Sequence, residues 1–265
     1  MSTPAPQPDG DRPQKVKVYL ESRYRKLERG LPQTIFYCPV CKGDRRRARM
    51  CKRCDGFGKL TKDSVQELIG RKAVPYLRGK LGKFHGAGRE DIDVLMLGRG
   101  RPFVFEVVGA RKPDADLIVL DEMIREKLAG RIELEPFVRV ERSRVPFWKE
   151  GKFDKVYRAD VGLEGEVPAD VGRELVGKSF DIVQRTPSRV VHRRADIERQ
   201  RRVTVLDVGA FENGSFQIEL RCMHGTYVKE WISGEDGRTE PSLASLLGIR
   251  SRCLILDVLE ILTDE

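Results

Sequence analysis

Four cysteines, Cys38, Cys41, Cys51 and Cys54, fall in the pattern C-x2-C-x9-C-x2-C. Each CxxC turn aims two thiolates at one point, and the loop between them folds the two turns together, which is the spacing a tetrahedral zinc site needs. Four thiolates on one ion leave no open position and no attacking thiol, so this spacing predicts a structural Zn2+ site. Cys222 and Cys253 stand singly in apolar, strand-like stretches and read as buried, unreactive thiols. The cysteine usage is that of a metal site in a reducing compartment rather than a disulfide framework.

The second chemical segment is KFHGAGREDIDVLMLGRGRPFVFEV, residues 83–107. Gly86 and Gly88 permit close backbone approach just before a charged triplet. If the triplet enters a strand, Asp91 and Asp93 share one face and Glu90 takes the other. A phosphate loop is a poor reading, because GAGRE matches neither the P-loop nor the dinucleotide fingerprint. A divalent-metal nuclease would use Asp91, Asp93 and Glu106, but no lysine stands two residues beyond Glu106, where a common nuclease arrangement needs one. The third reading is a single carboxylate nucleophile, Asp91, kept ionised by the neighbouring Arg89. With only three histidines, a His-dependent triad or a His-rich catalytic metal centre has little to draw on.

These residues need a scaffold, and 265 residues can bury one large core. Apolar periodicity predicts a strand at 16–20 and a helix from Ser64, capped by Ser64 and Glu67. IDVLML and PFVFEVV read as two strands joined by a turn at GRGR. A helix follows at 114–130, then strands at IELEPFVRV and KVYRADVGL, a helix near 168–176 and a strand at FDIVQRTP. A hairpin turning at ENG, a helix near 241–248 and a last strand at CLILDVLEIL complete the pattern. The sum is a mixed α/β (α+β) domain dominated by antiparallel strands. The expected division is a disordered tail at 1–15, a segment with the zinc knuckle at 16–60, and a catalytic domain at 61–265.

The net charge is +9, from 50 Lys plus Arg against 41 Asp plus Glu. The basic residues cluster in RYRKLER, RRRAR (45–49), HRR (192–194) and RQRR (199–202), as a polyanionic partner would require. No apolar run is long enough to span a bilayer, and MSTPAPQPDGDRPQK lacks the apolar core of a signal peptide. A soluble, cytoplasmic protein with no membrane partner is the expectation.

GREDIDVLMLGRGRPF resembles the active-site motif of the archaeal and eukaryotic tRNA pseudouridine synthases of the Pus ten family. RYRKLERGLPQT (23–34), QRTPSRVVHRRAD (184–196), HGTYVKEWISGEDGRTEPSLASLLG (224–248) and LILDVLEI (254–261) are similar to further family segments, in the same order. The resemblance implies the largely antiparallel pseudouridine synthase sheet flanked by helices, no cofactor in the chemistry, and tRNA as partner, with uridines 54 and 55 of the T-loop as targets. It implies that Asp91 is the nucleophile, that Arg89 helps hold the flipped nucleotide, and that Tyr157 stacks on the base. It also implies substrate contacts from Tyr227 and the nearby Lys229, and an apolar pocket floor at Leu256. At Leu95 the family usually carries Arg, so Arg99 or Arg101 is the candidate replacement. Family members carry a long N-terminal RNA-binding region, whereas only a short tail precedes the matching segment here. RNA docking is therefore expected from the knuckle and basic runs, or from an additional RNA-docking subunit. A non-catalytic zinc-containing RNA-binding module is the alternative class.

Overall fold

In chain order the elements begin with β1 (Val16–Lys26), the one-turn helix α1 (Arg45–Ala48), α2 (Val65–Tyr76), β2 (Leu81–Gly86), β3 (Leu95–Ala110) and α3 (Leu117–Leu128). Next come β4 (Ile132–Leu134), β5 (Val138–Arg139), α4 (Arg144–Glu150), β6 (Lys155–Leu163), β7 (Ser179–Arg185) and α5 (Ser188–Val191). The chain continues through β8 (Glu198–Val208), β9 (Ser215–Cys222), α6 (Val228–Ser233), β10 (Thr239–Glu240), α7 (Leu243–Leu247) and β11 (Ser251–Ile261). This computed structural model describes residues 16–263 apart from 129, 166, 169 and 192–194. The tail expected at 1–15 and the basic run at 192–194 lie outside the described residues.

The strands form one sheet in the order β10-β7-β8-β9-β6-β11-β3-β1-β4, with β2 also on β3 and β5 also on β1. Among the described residues every strand pairing is antiparallel except β11 with β3, which meet in parallel at Asp257↔Leu95 and Val258↔Met96. The mixed, largely antiparallel architecture read from the sequence is the one found.

Strand β3 is the spine. Its run from Gly100 to Val107 is buried throughout, as a strand covered on both faces must be. Phe103, Phe105 and Val107 enter the main core with Leu68, Ile69 and Ala73 of α2, while Val104 turns the other way onto Ala87 and Trp148. Helix α2 starts as its cap predicts: Ser64 Oγ accepts from the Glu67 N–H at 3.2 Å and donates to the Glu67 carboxylate at 2.8 Å.

The expected turn at GRGR does not exist; the segment lies inside β3. Its glycines permit close strand contact instead. A Cβ on Gly98 would fall 2.0 Å from Leu259 O, and one on Gly100 2.7 Å from Tyr24 O. Both glycines have positive φ, and the β1–β3 register slips there, between the Tyr24↔Arg101 and Lys26↔Met96 pairs. The helix expected near 168–176 reduces to a short 3-10 turn at Arg173–Leu175. The first strand is longer than read, because Ser22 and Tyr24 continue its buried alternation through the basic residues.

Segment 16–60 thus gives β1 to the sheet and holds the cysteines outside it. Cys38, Cys41, Ala48, Cys51 and Cys54 form their own small buried cluster with Leu60 against it. Its ends are tied by the Tyr37↔Lys59 bridge and by Leu60 N–H donating to Phe36 O at 2.8 Å.

Candidate active site

Residues 89–94 are a loop and turn rather than a strand, closed by Val94 N–H donating to Asp91 O at 3.1 Å. The two-sidedness expected of a strand survives nonetheless. The Glu90 side chain is fully buried, while those of Asp91 and Asp93 are 45% and 62% exposed.

Glu90 anchors the turn from beneath. Its carboxylate accepts from Tyr24 Oη at 2.8 Å and Arg101 Nε at 2.8 Å, with Lys26 Nζ at 3.7 Å. Lys26 donates to Leu31 O at 2.8 Å and to Asp91 O and Ile92 O at 3.2 and 3.3 Å. Arg101 Nη1 donates to Ala87 O at 2.6 Å, and Gln33 Nε2 bridges Tyr24 Oη at 2.8 Å and Gly88 O at 3.1 Å. Burial lowers the Lys26 pKa, but the Glu90 charge opposes that shift. Two buried cations share one buried carboxylate, so the excess positive charge sits under the Asp91 turn. Arg29 holds the outer side, donating through Nη1 to Asp93 O at 2.7 Å and Leu256 O at 3.3 Å, and pairing with Asp257 at 2.7 Å.

Above the turn, Asp91 Oδ2 faces Arg189 Nη1 at 3.4 Å and Lys229 Nζ at 3.8 Å. Arg189 Nε donates to the buried Glu230 at 2.6 Å, and Lys229 pairs with Asp93 at 2.7 Å. Burial alone would raise the Asp93 carboxyl, but Lys229 holds it below its ordinary value. The cations that face Asp91 are Arg189 and Lys229. Arg89 is exposed and pairs with no carboxylate among the described residues. Of the two arginines suggested in place of one at Leu95, Arg101 is sealed against Glu90, and Arg99 pairs with Glu260 at 3.3 Å.

The aromatic residues come from two directions. Tyr157 on β6 sits opposite Val258 on β11, and Ala159 sits opposite Leu256, so Tyr157 and the buried Leu256 share one face of the sheet. Burial, with Cys222, Glu90 and Asp91 near by, pushes the Tyr157 phenol well up, and Arg101 offsets part of this. Tyr227 immediately precedes α6 and is clasped at its backbone: Gln184 Oε1 accepts from Tyr227 N–H at 2.7 Å, and Gln184 Nε2 donates to Tyr227 O at 2.9 Å. Asp91 and Lys229 thus meet directly, Arg29 ties the turn to Leu256, Tyr157 shares the face of Leu256, and Tyr227 is held by Gln184.

Residues that the sequence reading missed do much of this positioning. Lys26, Arg29 and Gln33 lie in RYRKLERGLPQT, and Gln184 and Arg189 in QRTPSRVV, so the family segments contained the signal. The nuclease reading loses its ligand set. Among the described residues the one acidic, Cys or His group compact enough to share an ion is the cysteine cluster, not Asp91, Asp93 and Glu106. Glu106 is instead engaged by His85 and Lys17, each at 3.0 Å. Cys222 is buried and Cys253 half-buried, and burial raises both thiols, Cys253 to about 11.

The four knuckle cysteines are buried, none is in a disulfide, and their sulfurs all lie within 4.8 Å of one another. The Cys38–Cys51 and Cys41–Cys54 Sγ separations are 3.8 and 3.7 Å. A tetrahedron with metal–sulfur bonds of about 2.3 Å has edges of about 3.8 Å, so the donor set fits one tetrahedral ion. Gly58 N–H also donates to Cys54 Sγ at 3.2 Å, as a thiolate ligand would require.

A family model described as Pus10, C-terminal, matches residues 19–262. The chain belongs to the Pus10 C-terminal family. It is 42% identical over 245 residues to the tRNA pseudouridine synthase Pus10 of Methanothrix thermoacetophila, which covers 92% of this chain and 53% of the relative. The corresponding Pus10 of Methanothermobacter marburgensis is 44% identical over 246 residues, 92% of this chain and 60% of the relative. The chain therefore spans between about half and two thirds of the length of these Pus10 relatives. Among solved structures, a chain of a Cbf5-Nop10-Gar1 complex overlaps 74% of this chain and 45% of its own length, at 19% identity and a TM-score of 0.40. No helix among the described residues is long and apolar enough to cross a membrane.

Proposed function

We propose that this chain is a tRNA pseudouridine synthase in which Asp91 is the covalent nucleophile. The observation that carries the reading is the Asp91 carboxylate itself, raised on a turn pinned by buried Glu90, Lys26 and Arg101, and faced by Arg189 and Lys229. A carboxylate so placed is open to an incoming nucleotide, as a nucleophile must be.

In the isomerisation Asp91 adds to the sugar or the base of a uridine swung out of its stack. The N1–C1′ bond breaks, the uracil turns, a C5–C1′ bond forms, and the bond to Asp91 breaks to return the free carboxylate. The C5 proton leaves and N1 gains one, so the reaction is redox-neutral and needs no activated donor. Tyr157 supplies a stacking face, Leu256 the apolar floor, and Tyr227, Lys229 and Arg89 contacts to the nucleotide. The family resemblance points to T-loop uridines 54 and 55. A structural Zn2+ in the cysteine cluster would fold residues 36–60 and supply no catalytic step. The catalytic unit read as 61–265 also draws on β1, whose Lys26 supports the turn. A cytoplasmic setting follows from a tRNA substrate, with a further RNA-docking subunit as the alternative source of affinity to the basic runs.

The test is carbodiimide-adduct primer extension on an unmodified tRNA transcript incubated with the protein in EDTA. A new stop in the T-loop with RNA of unchanged length is the expected result. Shortened RNA would revive the nuclease. Tight binding with no stop, even after cell extract is added, would make the chain a binding module.

A further inference from the structure

Four arginines on the face of the sheet turned away from Tyr157 are neutralised. Arg185 pairs with Asp196 at 3.0 Å, Arg202 with Asp181 at 2.8 Å, Arg221 with Asp154 at 3.2 Å and Arg158 with Glu219 at 2.8 Å. Arg199 and Arg201 of β8 point to the other face, beside Gln184 and Ile182, and have no carboxylate partner among the described residues. Arg199 Nη1 donates to Thr186 Oγ1 at 2.8 Å and Ile197 O at 3.1 Å, and Arg201 Nη1 to Gln200 O at 2.6 Å.

Arg201 is also the more enclosed of the two. Its guanidinium lies against Gly225, where a Cβ would sit 3.3 Å from Nη2, and Gly225 has φ +78. Arg201 Nε and the neighbouring His224 Nδ1 are closed off from solvent and have no hydrogen-bond partner among the described residues. Leaving such groups unsatisfied is costly, and proteins that retain them commonly do so for a ligand. Burial and then the charge of Arg199 depress the Arg201 pKa, and burial with Lys155 and Arg201 depresses that of His224. Tyr227 is within electrostatic reach of both Arg201 and Arg189, and Arg189 is the cation on Asp91.

Arg199 faces Gln184, and Gln184 clasps Tyr227, so uncompensated positive charge and unsatisfied nitrogens meet on the face of the sheet that holds Tyr227. We propose that Arg201 and His224, with Arg199, form a phosphate clamp for the RNA strand that carries the target uridine. The clamp rests on the tRNA-modifying reading above and adds to it the residues that grip the backbone. A guanidinium with no carboxylate partner beside an imidazole suits a phosphodiester, which a turn of the two side chains brings within reach of both.

The experiment is equilibrium binding of an unmodified tRNA transcript to the full chain, held turnover-free by Asp91→Asn, across a series of salt concentrations. Arg201→Gln is expected to weaken binding and to reduce the slope of log affinity against log salt by about 0.7–1, the effect of one phosphate contact. Arg202→Gln, which removes an arginine already neutralised by Asp181, is expected to leave the slope nearly unchanged. His224→Phe is expected to weaken binding several-fold at an unaltered slope, which keeps the test open if Arg201→Gln does not fold. An unchanged slope in folded Arg201→Gln, or equal losses for Arg201→Gln and Arg202→Gln, would overturn the clamp, as would full affinity in His224→Phe. Absence of any tRNA binding by the unsubstituted chain would instead remove the functional reading and the clamp with it.

Discussion

Arg189 Nη1 stands 3.4 Å from Asp91 Oδ2 while the same guanidinium holds Glu230 through Nε at 2.6 Å. One arginine thus ties the candidate nucleophile to the buried face of α6. Arg189 lies far from Asp91 in the sequence, inside the family segment QRTPSRVV, whereas Arg89 is only two residues from Asp91 and pairs with no carboxylate among the described residues. Arg189→Gln is expected to lower kcat by about 10- to 100-fold with a smaller change in KM, because an electrostatic contact at the reacting group is lost. Arg89→Gln is expected to raise KM and leave kcat nearly intact. Steady-state kinetics on a tRNA transcript separates the two, and the reverse pattern would return the role to Arg89.

Asp91→Asn is expected to abolish turnover by on the order of 10³-fold or more while tRNA affinity stays within a few-fold. Tritium release from C5-labelled uridine reads the first quantity and filter binding the second. Residual turnover near wild type would make Asp91 a positioning group only.

Glu90→Gln should be the reverse case. It leaves Lys26 and Arg101 buried without their carboxylate, which costs about 3–5 kcal/mol, whereas Asp91→Asn at the half-exposed neighbour should cost about 1 kcal/mol or less. Urea unfolding of the two variants compares them directly. Equal destabilisation would mean that the turn is held by its backbone bonds alone.

Burial, joined by the positive charge of Arg101, pushes the Lys155 ammonium down to about 8. The unfolded lysine titrates near 10.4. Between those values the unfolded chain keeps a proton that the folded chain has released, so stability rises as pH climbs from about 8 towards 10. Below that window both states are protonated, and the fold bears the cost of a buried cation. Lys155→Met should flatten the rise in unfolding free energy measured between about pH 7 and pH 9.5. A rise that persists in Lys155→Met would assign it to another group.

The cysteine cluster is expected to carry about one zinc ion per chain, measurable by mass spectrometry of the metal content. Its small core is separate from the main one. Chelation should therefore expose residues 36–60 to protease while the circular dichroism of the sheet persists. Loss of the whole fold on chelation would show that the cluster supports the sheet.

Periodicity exposed α2, β6 and the β8–β9 hairpin in the sequence because each has an uninterrupted apolar pattern and a local cap or turn. It failed at GRGR, where glycines that usually mark a turn serve a close strand crossing, since a sequence does not reveal which strand passes alongside. The four-cysteine site was legible because its spacing is local. Asp91 stood among three residue-level readings, and the choice among them, like the choice of Tyr157 and Tyr227, rests on the family motifs. The pinning of the turn by Lys26, Gln33 and Arg101 was not, because those contacts depend on how β1 and β3 are registered. The Gln184 clasp on Tyr227 likewise depends on β7 meeting the start of α6.

Strand β11 lies between β6 and β3, and it follows every other described strand in the sequence. The half of the sheet that bears Asp91 and the half that bears Tyr157 are therefore joined by the segment synthesised after both. On the ribosome, the first half can collapse around β3 and the second around β6, yet neither owns a complete site until β11 emerges and slides between them. A chain that lacks β11 therefore presents the Asp91 turn and the Tyr157 strand unjoined.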